Sequence, residues 1–467
     1  FLHGTKEVKE VIMDGAYLDD ITRDQSVSLI EDPKDLDTIL RLEEELGREF
    51  YLYPFGYDFM FELKDGKISG IFLYGFHQES QIPACIQEFA NLEDLSINGS
   101  ENKRIRELPE WIGTLSNLQS LWVDLPYLET IPETLGDLQN LEHLGLIGKS
   151  LRTLPHSIGE LKSLKKFYLR GSLTGGLSES FGELKSLTKL DIKDSQISRF
   201  PESFGHLRSL KKLLIENCVN LTSLPDSFGN LESLETLEIL NSGLERLPES
   251  FGNLKCKEIS IVGSQLKKLP KSIGNLIATS LSFSSNKLEE LPTSIGNLKN
   301  VEKLSFSLNN LEQVPNSIGK LGKLKYLYLS YNSLNSLPDT IENLKKLETL
   351  HLDNNKFESF PLIVIKMKNL KRLDLNNYDR EELPKYAKGK VINKNKFRSI
   401  PDEIKYMVSL EELSLRNTEL TELPLTIGNL ENLEYIFIQG SGITKAFFRK
   451  ILSNLLYRSI QKSHSCC

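Results

Sequence analysis

Proline recurs at positions 109, 132, 155, 201, 225, 248, 270, 292, 315, 338, 361, 384, 401 and 424, at steps of 22 to 24 residues wherever the series is unbroken. Ser178 takes the missing place between Pro155 and Pro201. Around each proline stands one pattern, LPxSIGNLxxLxxLxLxxN, legible from Leu291 and Pro292 through Gly296, Asn297, Leu298, Val301, Leu304, Phe306 and Asn309 to Leu311. A period of this length constrains the fold more than any other property of the sequence, because each unit is one supersecondary element that cannot bury its apolar side alone. Neighbours must stack on it, since an open face exposes several leucine-class side chains at about 1.5–3 kcal/mol each. The usual allowance of roughly 150 residues per domain, which predicts about three domains, therefore does not apply.

Within one unit the spacing assigns local structure. The period-two pair Leu327 and Leu329 marks a short strand that turns its leucines inward and Tyr326 and Tyr328 outward. The chain then turns at Asn332, in a column that holds Asn286, Asn309, Asn355 and Asn395, and elsewhere Ser195, Ser242, Ser264, Thr418 or Cys218. Short polar side chains there are expected to satisfy backbone groups inside a tight turn. Leu-Pro then sets an extended segment, and the SIGNL run supplies one helical or 3-10 turn that the glycine is expected to end. The expected fold is an α/β solenoid, a horseshoe of about 16 coils with a parallel concave β-sheet roughly 75 Å long, short convex helical or 3-10 turns, and helical caps at both ends.

From about Lys67 to Lys445 this unit is the signature of a leucine-rich repeat and resembles the cytoplasmic Ras-group type, including plant intracellular Ras-group-related proteins, the animal Ras–phosphatase scaffold, and many bacterial and archaeal proteins. The resemblance implies a non-enzymatic scaffold that binds a protein partner on its concave face, in small-GTPase or phosphatase signalling. The repeat alone does not say what is bound.

The ends depart from the repeat. In residues 1–66, Asp32 as N-cap, Pro33 at the first helical position, Leu36, Ile39, Leu40 and Leu46 at helical spacing and Gly47 predict one amphipathic helix. A hairpin follows across Lys64-Asp65-Gly66-Lys67, and the whole is expected to cap the solenoid of residues 67–445. Phe447, Phe448, Ile451, Leu452, Leu455 and Leu456 predict a capping helix in 446–467. That segment is basic and ends Cys466-Cys467, so a membrane anchor arises only if this pair is lipidated; a prenylation box would need Cys where His464 stands. Pro384 to Pro401 is a step of only 17 residues, and Lys385, Lys388 and Lys390 open an acid-free run to Arg398 that is expected to protrude toward an acidic partner.

Composition closes off other classes. A charge of −7 and a pI near 5.7 disfavour nucleic-acid binding, and no apolar run approaches the ~20 residues that cross a bilayer. Residues 1–50 hold 14 acids against 6 bases, so the acidity belongs to that end. Five scattered cysteines and a charged start, FLHGTKEVKEV, fit a reducing, cytoplasmic compartment. Lacking Met at position 1, the chain is also readable as the recognition arm of a larger enzyme, a ubiquitin-ligase effector, kinase or GTPase, with its catalytic domain before Phe1.

Catalytic signatures are absent: there is no HExxH, GxSxG or GxGxxG, the seven histidines are dispersed, and no metal ligands cluster in sequence. Gly148-Lys149-Ser150 ends like a phosphate loop, but His143 stands where the first glycine belongs. No enzyme, cofactor or metal is therefore expected. What remains is the outward side of the strands. Lys166, Lys189 and Lys212 follow His143 in one column, with Arg170 and Lys193 past the strand in the middle two coils, while Trp122, Tyr168, Tyr326, Tyr328, Tyr331 and His351 supply aromatic area suited to a protein interface.

Overall fold

The computed structural model describes residues 22–53, 58–77, 79, 81–378 and 392–443. The chain divides into two compact units, Phe1–Leu221 and Thr222–Cys467. Lys385, Lys388, Lys390, the helix expected in 446–467 and the Cys466-Cys467 pair lie outside the described residues.

The first unit opens with helix α1 (Arg23–Val27), closed by a capping box between Thr22 and Gln25 that the sequence reading did not include. Helix α2 (Pro33–Leu46) runs between the expected ends: the Asp32 carboxylate accepts the Lys34 N–H at 2.9 Å, and Gly47 adopts φ 62°. Its buried face differs from the expected one. Ile39 and Leu42 are buried with Asp35 and Thr38, whereas Leu40 is 41% exposed. The reason is polar, because the Asp35 carboxylate accepts the Ile68 N–H at 2.8 Å, and that buried bond decides which side of α2 meets the sheet.

Strands β1 (Tyr51–Leu52) and β2 (Phe59–Lys64) pair in parallel, and β2 forms an antiparallel hairpin with β3 (Lys67–Leu73). The hairpin turns at Asp65 and Gly66, whose φ values of 52° and 69° are the pair of left-handed residues that a type I′ turn requires. From β3 onward every strand is parallel, and one apolar column runs Leu121, Leu144, Phe167, Leu190, Leu213 without a slip of register. In the second unit the same column reads Leu237, Ile259, Leu281, Leu304, Leu327, Leu350, Leu373, Leu413, Ile436. Among the described residues no helix is long and apolar enough to cross a membrane.

Among the described residues the repeat prolines from Pro109 to Pro424, Pro361 excepted, hold an extended backbone ahead of a five-residue 3-10 turn, as Pro292 does (φ −65°, ψ 146°) before Thr293–Asn297. The glycine has a different role from the one expected. Gly296 lies inside the turn and is not left-handed; a Cβ there would collide with the backbone carbonyl of Ser317 on the next coil, and the same relation recurs from Gly159 to Ser180 and from Gly274 to Ser294. Close approach of coils, not helix termination, is what demands glycine here. Phenylalanines stack behind these turns, Phe181 on Phe204 at 6.2 Å and Phe228 on Phe251 at 6.2 Å.

The asparagine column is a hydrogen-bond ladder. Asn332 Oδ1 accepts the Leu311 N–H at 3.0 Å, and its Nδ2 donates to Phe306 and Leu329 carbonyls, each at 3.0 Å. Asn309 and Asn355 repeat the arrangement one coil to either side. The residue before each rung turns left-handed, at Ser285, Leu308, Tyr331 and Asn354. One coil is long: Arg372–Asp374 pairs directly with Glu412–Ser414, and Asn377 meets Asn417 across 40 residues where neighbouring coils repeat every 23. Asn395 completes the ladder there by accepting from Phe357, so the extra chain departs between Tyr378 and Asn395, and the step from Pro384 to Pro401 belongs to one long coil rather than a short one.

Two outcomes are expected. Asn332→Ala removes four hydrogen bonds and leaves the buried Leu311 N–H without its partner, while the three carbonyls keep other donors, so unfolding free energy should fall by about 1–3 kcal/mol in denaturant titration. Glu62 on β2 is pushed up to about 7, by burial first and then by Asp94 and Glu93. Its folded pKa exceeds the ordinary 4.5, so stability from this group is present below pH 4.5 and lost as pH rises toward 7. Glu62→Gln should therefore raise the melting temperature at pH 8 and leave it nearly unchanged at pH 4.

Candidate functional site

Alternation along the strands turns every second residue away from the core, and in the first unit one such row reads Ser96, Trp122, Gly145, Tyr168, Asp191, of which Ser96, Gly145 and Asp191 are covered by their neighbours. Gly145 has no side chain, and the Trp122 indole lies across it to stack on Tyr168, with ring centroids 5.3 Å apart and planes 23° apart. Trp122 remains 37% exposed. The result is an aromatic plate held on three adjacent strands. Its sequence signal was a glycine between two aromatics in one repeat column, which becomes legible only once register is known.

The cations around the plate divide into two kinds. His143, Lys166, Lys189 and Lys212 are direct lateral neighbours, as their column implied. Lys189 pairs with Asp191 at 3.0 Å, Lys193 with Glu216 at 2.8 Å, and Arg170 with Asp194 at 2.6 Å. Lys166 and Lys212 have no ion pair among the described residues, and burial together with Lys166 keeps His143 below the usual imidazole range. The face thus carries less free positive charge than the sequence column suggests, and Lys166 is the unpaired cation two residues from Tyr168.

In the second unit Tyr326 and Tyr328 share a strand face. Tyr328 packs on His351 with ring centroids 4.9 Å apart, and Lys303 Nζ sits 5.7 Å from the Tyr328 ring. A shallow trough of about 520 Å³, floored by Ser260, Ser282 and Ser305, opens beside Tyr328. Tyr331 is placed differently from the strand tyrosines. It turns at φ 54° and stacks on Tyr378 at 6.4 Å, and like Ile392 it packs against Leu308, so it belongs to the stem of the long coil.

His351 also has neighbours that the sequence did not bring together. Its Nδ1 lies 3.8 Å from Asp374 Oδ2 and 4.0 Å from Asp353 Oδ1. Asp353 is held by the Ser330 hydroxyl, and Asp374 accepts the Asn376 N–H at 2.9 Å and the Tyr378 hydroxyl at 3.4 Å. Burial keeps the imidazole neutral, down to about 4 with Arg372 assisting. Burial also raises Asp353 well above the carboxylate range, with Asp374 adding to it, and raises Asp374 to about 6. A motif search misses this group because Asp374 comes from the next coil, 21 residues from Asp353 and 23 from His351.

Residues 156–242 and 312–391 match the family described as a leucine-rich repeat region, and residues 278–334 match leucine rich repeat. A leucine-rich-repeat protein of Leptospira interrogans is 31% identical with a TM-score of 0.66, over 81% of this chain and 91% of that one. This chain belongs to the leucine-rich-repeat family. The PEPR1–AtPEP1 complex is similar at 25% identity and a TM-score of 0.58, over 82% of this chain and 53% of that one. The Drosophila Toll–Spätzle complex shares the fold at 23% identity and a TM-score of 0.64, over 78% of this chain and 49% of that one. No curated protein sequence matches. Leucine-rich-repeat folds are typically non-enzymatic binding folds, with extended surfaces made by stacking.

The role of Gly145 is testable by fluorescence. In a Trp111→Phe background Trp122 is the remaining indole, and Gly145→Val should lift it off the sheet. A red-shifted emission with an unchanged circular-dichroism spectrum is expected.

Proposed function

We propose that this chain is a protein–protein interaction scaffold that takes a protein partner on the exposed face of its sheet. The observation that carries this is the Trp122–Tyr168 plate. Solvent-facing aromatic rings on a rigid sheet lose little conformational freedom on binding, and Trp and Tyr are the residue types that dominate interface energetics. Lys166 beside the plate suits a partner that sets a carboxylate next to a stacked side chain, while Arg170, Lys189 and Lys193 are already neutralised within the face. Tyr326, Tyr328 and the serine-floored trough offer a comparable surface in the second unit. PEPR1, solved together with AtPEP1, uses the same repeat fold, which supports a binding role.

A partner in small-GTPase or phosphatase signalling is the finer reading, supported by the repeat consensus alone. Cytoplasmic placement is supported by Cys85, Cys218 and Cys256, which are buried thiols. The alternative, a recognition arm of a larger enzyme, uses the same face and differs only in sequence outside this chain. The test is affinity enrichment with wild type and with Trp122→Ala/Tyr168→Ala, both checked for unchanged melting. A partner held by wild type should bind the double variant about 1–3 kcal/mol more weakly per ring. Equal retention on both baits removes the plate from the binding site.

A further inference from the structure

We propose that His351, Asp353 and Asp374 bind one divalent transition-metal cation of the Zn²⁺ class. The three donor atoms, imidazole Nδ1 and one oxygen from each carboxylate, all lie within 4.8 Å of one another. Zinc at ~2.0–2.1 Å from each donor would set them roughly 3.3 Å apart, so the site closes on a cation with movements of about 1 Å. His351 and Asp353 are alternate residues on one edge of a coil, and Asp374 is the lateral neighbour of His351 in the next. The backbone register therefore builds the site before any metal arrives.

The group is otherwise hard to account for. The side chains of Asp353 and Asp374 are only 4% and 13% exposed, and neither has a Lys or Arg ion pair among the described residues. Two carboxylates buried side by side cannot both stay charged without a cation to offset them. The imidazole does not serve as that partner, because its Nδ1 stands beyond hydrogen-bond range of both. Each donor is instead oriented from outside the cluster. Ser330 holds Asp353, the Asn376 N–H and Tyr378 hydroxyl hold Asp374, and Tyr328 packs against the His351 ring. This is how outer groups orient first ligands in metal sites. One nitrogen and two oxygens select a borderline cation; Mg²⁺ and Ca²⁺ prefer oxygen-only sets with more ligands.

Bound there, the cation would join two neighbouring coils at the point where the long coil departs, since Asp374 is tied to Tyr378 and Tyr378 accepts from Asn376 at 2.7 Å. The inference is independent of the partner-binding reading, because it concerns a cation and is read without any partner.

The experiment uses the full chain carrying Cys466→Ser/Cys467→Ser, so that the terminal thiols do not bind metal. Chelator-treated protein is titrated with Co²⁺ as a spectroscopic probe and then with Zn²⁺ by calorimetry, and its melting is followed with Zn²⁺ and with chelator. One equivalent of either ion, a visible Co²⁺ spectrum free of thiolate bands and a Zn²⁺-dependent rise in melting temperature are expected. His351→Gln and Asp374→Asn should each weaken binding by more than the roughly 10–100-fold that even outer partners are worth, and abolish the rise. Asp374→Asn is isosteric and removes a buried charge, so its metal-free melting temperature should equal or exceed wild type; Asp353→Asn serves if it does not fold. Absence of binding by wild type, or equal stoichiometry and affinity in the variants, overturns the site.

Discussion

Everything in this protein depends on coil lying directly on coil. The leucine columns set the spacing, and the spacing is so close that the backbone of one turn touches the next, as at Gly296 beneath the Ser317 carbonyl. Tight stacking creates a second demand, because strand ends and turns are then sealed from water and their backbone groups need partners. The asparagine ladder answers it, with Asn309, Asn332 and Asn355 each bridging its own coil and the preceding one. Burial and hydrogen bonding are here one requirement, since neither column is useful without the register that the other enforces.

The same register turns a repeat into a surface. A residue facing solvent in one coil has the equivalent residue of the next coil beside it, so unrelated substitutions become neighbours. Gly145 lets Trp122 reach Tyr168 across an intervening strand, and acids at 191, 194 and 216 neutralise Lys189, Arg170 and Lys193. What would be scattered charge in a list of residues is a partly compensated face. Lys166, without an ion pair among the described residues, is the uncompensated cation beside the plate and gives the face a direction.

The long coil shows how the fold accommodates an interruption. Strand pairing continues from Arg372–Asp374 to Glu412–Ser414 as though nothing had been inserted, and Asn395 takes the rung that Tyr378 would have filled. The stem is fastened backward: Asn393 Nδ2 donates to the Asn332 carbonyl at 2.6 Å, and Ile392 packs on Leu308, as Tyr331 does. Leu308 and Tyr331 hold left-handed backbone at φ 59° and 54°, a conformation costing about 1–2 kcal/mol each, which their packing with the stem helps to offset.

The amino-acid sequence by itself determined the repeat, its strand and turn assignments, the Asp32-to-Gly47 helix and the Asp65-Gly66 hairpin turn, because each rests on local backbone chemistry, and it marked the asparagine column, because one short polar side chain recurs at one place in the period. Tertiary structure alone decided the rest. The buried face of α2 follows a bond from Asp35 to Ile68, the repeated glycine answers to a carbonyl on the next coil, and Tyr331 turns to the stem instead of the strand face. His351, Asp353 and Asp374 meet only because lateral register folds distant sequence into adjacent positions. The physical reason is the same throughout: a repeat encodes each coil in its own residues, but what two coils do together depends on pairs that the sequence never places side by side.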